Sequence, residues 1–378
     1  MPIPEKTYLQ TLEPIATEVV TPAAAGIDAK GEYPRAALQA LGQAGLLGLV
    51  SASEVGGLGQ AHRAAALVVE RLARECASTA MVVAMHYAGA AVIEAHGPRD
   101  VRQSIAAGQH VSTLAFSEAG SRSHFWAPLS TATPVAGNGH VKLDARKSWI
   151  TSAGEADSYV WSSRPMMAEG ASTIWLVPAK AAGLRVVAPF RGLGLRGNAS
   201  SPVTAEGVLV EQAAMLGGDG QGFDIMMGIV LPYFQLMNAA ASIGLMQAAT
   251  ARAAAHVSQT SLEHLGSTLA DLPTIRAYVA RMQVKTDLAH ALLLDTCDAL
   301  EGGRADAMLR VLEVKAAAGE AATEVTDLAM RVCGGAAFRQ EVGVERNFRD
   351  ARAATVMAPT TDVLYDFIGK AVCGLPLF

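Results

Sequence analysis

Residues able to do chemistry are concentrated in a few short stretches. The loop LAFSEAGSRSHFW (114–126) follows a β-type run. Its single glycine and small hydroxyl residues let backbone N–H groups approach a ligand closely, although many Gly/Ser loops are only turns. Its second half gathers a cation, the hydroxyl of Ser123, the imidazole of His124 and two aromatics; an imidazole there could act as acid or base near neutral pH. DARKSWITSAGEADSYV (144–160) sets the indole of Trp149 two residues before the hydroxyl of Thr151, and an isolated Trp in a β-type run is more often a core aromatic. His86 lies midway along the apolar run STAMVVAMHYAGAAVIEAHG, where a hydrogen-bonded core histidine is the ordinary reading and a catalyst the sharper one. Asp362 stands in PTTD, a pattern suited to capping a helix as well as to accepting a proton. The four cysteines (Cys76, Cys297, Cys333, Cys373) form no CxxC pair, so neither a metal site nor a disulfide framework is expected; reduced, buried thiols in a cytoplasmic protein are.

The elements that must position these residues fall into three blocks. Residues 1–112 read as a helical domain. PRAALQALGQAGLLGLV has helical spacing, AHRAAALVVERLARECAS is amphipathic with Arg63, Glu70, Arg71, Arg74 and Glu75 toward water, and the apolar run that follows should be central, with Ser78 as its cap. Residues 113–215 hold short β-type runs separated by Gly, Asn, Pro and Ser, as expected of a compact antiparallel, barrel-like β-domain. In 216–378 the helical period returns, with breaks near Thr268, Gly302–Gly303 and Gly334–Gly335. The predicted class is therefore α+β, with a middle β-domain between helical blocks. The charge-free run 225–251 is long enough to span a bilayer, but it holds Pro232, Gln235, Asn238 and Gln247 and lacks basic flanks, so a buried bundle helix is expected and no membrane partner. A net charge of −5 gives no footprint for nucleic acid, and the early charges and absent apolar core of the first residues show no signal peptide.

These motifs, in this order, resemble the acyl-CoA dehydrogenase family. LAFSEAGSRSHFW is similar to the family's Thr-Glu-Pro-x-Ala-Gly-Ser-Asp loop, RKSWITS to Gly-x-Lys-x-Trp-Ile-Thr-Asn-Gly, and GLGLRGNASS to its Gly-x-Arg-Gly-Ser segment. MRVCGGAAFRQEVGVERNFRDAR (330–352) resembles its Gly-Gly-x-Gly to Arg-Asp-Ala signature. The resemblance implies a C-terminal four-helix bundle, a homotetramer built as a dimer of dimers, and a flavin, FAD rather than FMN. It implies that Ser117 and Ser123 grip the flavin pyrimidine, that Trp149 packs on the ring, that Thr151 bonds near N5, and that Gly334 and Gly335 cradle the adenylate part.

The chain also departs from that pattern. Where the family carries its catalytic Glu, in an Ile-Tyr-Glu-Gly run, this sequence has Val356-Met357-Ala358-Pro359. At the alternative Glu position on the long helix it has Phe234, followed by Gln235 where an Arg is common. Leu262 replaces the Arg that reaches the FAD diphosphate of a neighbouring subunit, a contact Arg331 could take over, although an ordinary surface ion pair is equally compatible with it. His124, Asp362 and His86 are the substitute acid–base candidates. A flavin-dependent oxidoreductase with non-standard chemistry is expected. Ordinary dehydrogenation of an acyl-CoA or carrier-bound thioester with a relocated base, reduced-flavin monooxygenation served by a flavin reductase or another electron-transfer partner, and a non-catalytic flavin- or acyl-binding protein stay open beside it.

Overall fold

The computed structural model describes residues 5–121, 124–137 and 139–377. Helix α1 (Glu5–Pro14) runs through a π-helical turn into α2 (Thr21–Lys30), followed by α3 (Arg35–Gln43), α4 (His62–Ala73), α5 (Ala77–His96) and α6 (Arg99–Ala106). Because α5 is apolar on every side, it is buried almost from end to end at the centre of this layer. It begins two residues earlier than expected, after Cys76, so Ser78 falls inside the first turn instead of capping it. There the Ser78 hydroxyl accepts a hydrogen bond from the Gly197 N–H at 3.1 Å and ties the helix to the middle domain. Glu70 is a second correction: it faces inward, because the helices Leu231–Gln259 and Pro273–Glu301 cover that side of α4, and its carboxylate accepts from Gln247 (2.8 Å) and His290 (3.1 Å).

The middle block makes two four-stranded sheets. One has the order β1 (Ser112–Ala115), β4 (Ser158–Ser163), β5 (Thr173–Pro178), β8 (Met215–Leu216); the other β2 (Thr131–Val135), β3 (His140–Ile150), β7 (Ser201–Glu211), β6 (Leu184–Val186). Trp161, Trp175, Tyr159, Leu143 and Val208 fill the space between them. Pairing is antiparallel except that β1 and β4 run parallel, which corrects the all-antiparallel expectation. More than forty residues, including the β2–β3 hairpin of the other sheet, separate β1 from β4, and so long a connection permits a parallel return.

The final block starts with α7 (Gly222–Ile225), which leads through a π-helical turn into α8 (Leu231–Gln259). A small hairpin, β9 (Ser261–Leu262) and β10 (Ser267–Thr268), precedes α9 (Pro273–Glu301), α10 (Ala307–Cys333), α11 (Val344–Val356) and α12 (Thr361–Val372). Helices α8 to α11 pack as a bundle with α12 laid on α10, and α4 and α5 dock on α8, so both helical blocks share one core. Gly244 makes that docking possible: a Cβ there would stand 2.4 Å from the Glu70 carbonyl oxygen. Two helices, α5 and the 222–259 segment, are long and apolar enough to cross a membrane, yet most of each is buried within this core. Cys76, Cys297 and Cys333 are buried as expected; Cys373 is exposed, because it lies just beyond α12 in the solvent-exposed run 371–376.

Candidate functional site

All three blocks meet around a cleft of about 1080 Å³. The β1 loop contributes Phe116 and Ser117, the end of β3 contributes Trp149 and Thr151, and the 190–195 loop runs along the rim. From the helices come Met81 and Met85 of α5, Leu231 and Phe234 of α8, Arg349 and Arg352 of α11, and the turn carrying Met357 and Ala358.

Backbone geometry aims the β3 residues into this space. Trp149 has φ +57° and Ser152 φ +59°, left-handed values that are costly away from glycine. The register of β3 against β7 breaks between Lys147 and Ile150, and that break turns the Trp149 indole out into the cleft, 69% exposed. Cross-links over-determine the conformation: Ser148 N–H donates to Ser117 O (2.9 Å), Ser152 N–H to Asn198 O (2.9 Å), and Tyr33 O–H to Ser152 Oγ (2.9 Å). Thr151 is held through its hydroxyl, 3.1 Å from that of Ser200.

Under this platform lies a buried ion pair whose role the sequence did not reveal. Lys147 Nζ is 2.5 Å from Glu118, with both side chains almost fully buried, and it also donates to Ser162 O (2.7 Å) and Ser162 Oγ (2.9 Å). Glu118 further accepts from Leu129 N–H (2.5 Å), Ser130 N–H (3.0 Å) and the Ser130 hydroxyl. Burial alone would raise the Glu118 pKa, but the Lys147 ammonium and these hydrogen bonds outweigh it and hold the carboxyl below its ordinary value. The available signal was an acid and a base, one in each of the two stretches similar to family motifs, which does not by itself predict contact.

The Arg-Asp-Ala run is a clamp joining the blocks. Arg349 donates to Asp28 (2.6 and 3.0 Å), Glu345 (2.7 Å) and Leu193 O (3.1 Å), while Asp350 accepts from Leu195 N–H (2.6 Å). Gly194 passes so close that a Cβ would lie 2.4 Å from the Arg349 carbonyl oxygen.

Placement of the expected site residues is uneven. Ser117, Trp149 and Thr151 line the cleft together, as do Phe234 and Ala358; Ser123 lies outside the described residues. His124 does not face this space. The loop turns Phe125 into the cleft and leaves His124 exposed, edge-on to Trp126 at 5.1 Å. With Asp362, Asp366 and Lys370 it lines a separate depression of about 500 Å³; Asp362 points there from the first turn of α12 while the preceding turn takes the cleft side. His86 is fully buried between Leu47 O, 2.9 Å from Nε2, and the Ser112 N–H, which donates to Nδ1 at 3.2 Å. Burial lowers its pKa to about 4, so it remains a neutral imidazole bridging α5 to β1, the core reading. Arg331 is exposed and donates to the Tyr278 hydroxyl at 3.0 Å; neither it nor Gly334 nor Gly335 lines the cleft. Among the described cleft residues Glu118 is the one carboxylate, and its bonds are already taken.

Three consecutive stretches match the acyl-CoA dehydrogenase domains: N-terminal over 5–108, middle over 113–208 and C-terminal over 220–373. The chain belongs to the acyl-CoA dehydrogenase family. It is similar to the human mitochondrial short-chain specific acyl-CoA dehydrogenase, at 28% identity over 373 residues, covering 96% of this chain and 88% of that protein. In fold it is similar to butyryl-CoA dehydrogenase from Megasphaera elsdenii, with a TM-score of 0.90 at 22% identity and coverage of 99% and 100%. The FAD complex of PigA has the same fold, with a TM-score of 0.89 at 16% identity and coverage of 99% of each chain. Family membership supports flavin-dependent redox chemistry, and the cleft residues fit a flavin. Trp149 offers a large exposed apolar face beside hydroxyls, and the walls are apolar with Arg349 and Arg352 at one side.

Proposed function

We propose that this protein is an FAD-dependent oxidoreductase acting on a substrate whose reacting portion is small and apolar, with the acyl chain of a thioester as the leading class, by a reaction that does not draw on a protein carboxylate as base. One observation carries this reading: the cleft's single described carboxylate, Glu118, is tied into a buried ion pair, and Ala358 and Phe234 present only hydrocarbon. FAD would supply two-electron exchange at its ring. The chain's own residues would do the rest: Trp149 covers the ring, Thr151 and Ser117 offer hydroxyls at its edge, and Met81, Met85, Leu231 and Phe234 exclude water. The placement of Arg331, Gly334 and Gly335 away from the cleft supports a cofactor that extends to a neighbouring subunit, and exposed Leu288 and Phe338 support a homo-oligomer. An electron-transfer or flavin-reductase partner would then complete the redox cycle.

The test is anaerobic titration of the FAD-loaded protein with butyryl-CoA, followed by chemical reduction and admission of oxygen in the presence of acyl and non-acyl substrates. The reading expects no bleaching by butyryl-CoA and turnover only after external reduction. Prompt bleaching identifies ordinary dehydrogenation with a relocated base instead, and failure to take up FAD removes the enzymatic reading.

A further inference from the structure

Behind the cleft wall at Met357 and Ala358 lies a second, buried polar layer. Lys315 of α10, fully buried, donates to Met357 O at 2.9 Å and Pro359 O at 2.7 Å, gripping the turn on both sides of Ala358. From α8, Asn238 Nδ2 donates to Met357 Sδ at 3.2 Å. Residues 231, 234, 235 and 238 share one face of α8 by their three- and four-residue spacing. Leu231 and Phe234 line the cleft and Asn238 reaches its wall, so Gln235 falls between them on the same face of the helix.

Gln235 is fully buried, yet neither Nε2 nor Oε1 has a hydrogen-bond partner within the protein. The same holds for Oδ1 of buried Asn238 and for Oγ1 of buried Thr361, two residues beyond Pro359. A dry orphan of this kind is destabilising, because the group gives up its hydrogen bonds to water and gains none in the protein. Asn238 touches the turn and Thr361 follows it in the chain; with Gln235 they offer one sure donor, two acceptors and one hydroxyl able to be either, a set that a small neutral molecule can satisfy by donating and accepting in turn.

We propose that Gln235, Asn238 and Thr361 form an internal binding site for water, and that this hydrated layer, together with Lys315, backs the 356–360 wall of the cleft. The wall's cleft-facing side chains are apolar, so the backing supplies the hydrogen bonds that fix it. None of the three residues lines the cleft, so the site stands whatever reaction the cleft performs.

A crystal structure of the full chain at a resolution that shows ordered solvent tests it directly. The expected result is at least one water within hydrogen-bond distance of the Gln235 carboxamide and a second of the named side chains; a dry site overturns the proposal. Gln235→Met, close in volume but without the carboxamide donor and acceptor, tests it by sign. With water bound, the variant strips the water of partners and Tm falls by roughly 2 °C or more. Were the amide a dry orphan, removing it would relieve a penalty, and a raised Tm overturns the proposal. If the variant does not fold, the wild-type crystal structure decides alone.

Discussion

Lys147 and Glu118 contribute to the site by holding its platform, because each would be costly to bury without the other. Lys147→Met should destabilise the protein by about 3–5 kcal/mol by leaving Glu118 charged and unpaired, measurable by urea denaturation. Trp149 is the opposite case. Its indole is mostly exposed, so Trp149→Ala should leave stability nearly unchanged and weaken flavin binding by on the order of tenfold or more, read by fluorescence titration with FAD. Asp219 pins the 166–168 loop by accepting three backbone N–H bonds and the Thr173 hydroxyl. Burial would raise its pKa, but these bonds outweigh that and lower it to about 2. Its contribution is present above the ordinary carboxylate value and is lost as pH falls through about 2, so wild type and Asp219→Asn should converge in Tm at the acid end.

Between elements, Glu70 of α4 joins Gln247 of α8 to His290 of α9. The hydrogen bond that His290 donates to Glu70 raises the His290 pKa against the effect of burial, with the charges of Glu70 and Asp287 adding to the shift. A raised histidine contributes stability fully below its unfolded value, and that contribution is lost as pH rises through the folded one. A Tm profile from pH 5 to 9 should therefore decline more steeply for wild type than for His290→Gln across that window. The clamp between α11 and the 193–195 loop is steric as well as electrostatic. Gly194→Ala would drive a methyl into the Arg349 carbonyl and should cost roughly 1–3 kcal/mol while loosening the cleft rim; denaturation and flavin affinity would both register it.

At the scale of the whole molecule, the two helical blocks share one core, and the two-sheet unit bears on it where the cleft opens. A site at that junction depends on all three parts staying docked, which is why the docking contacts at Gly194, Ser78 and Asp28 fall beside it. Leu288 of α9, 66% exposed, and neighbouring Val284 leave an apolar strip on the bundle. The proposed homotetramer would cover it: native mass spectrometry should record four chains, and Leu288→Asp should shift the distribution to smaller species.

The sequence by itself determined the succession of helices, strands and helices, the burial of α5 and α8, and the family. These follow from local period and from motifs whose order needs no distances. Placing Trp149 and Thr151 at one site was legible for the same reason: two residues apart in an irregular strand end, they travel together. Only the tertiary structure decided where His124 and Asp362 point, that Glu70 faces inward, that β1 and β4 run parallel, and that Lys147 closes on Glu118. Each of these depends on which partner a long connection brings alongside, and a side chain's direction at a loop or helix end is set by that partner rather than by its neighbours in the chain.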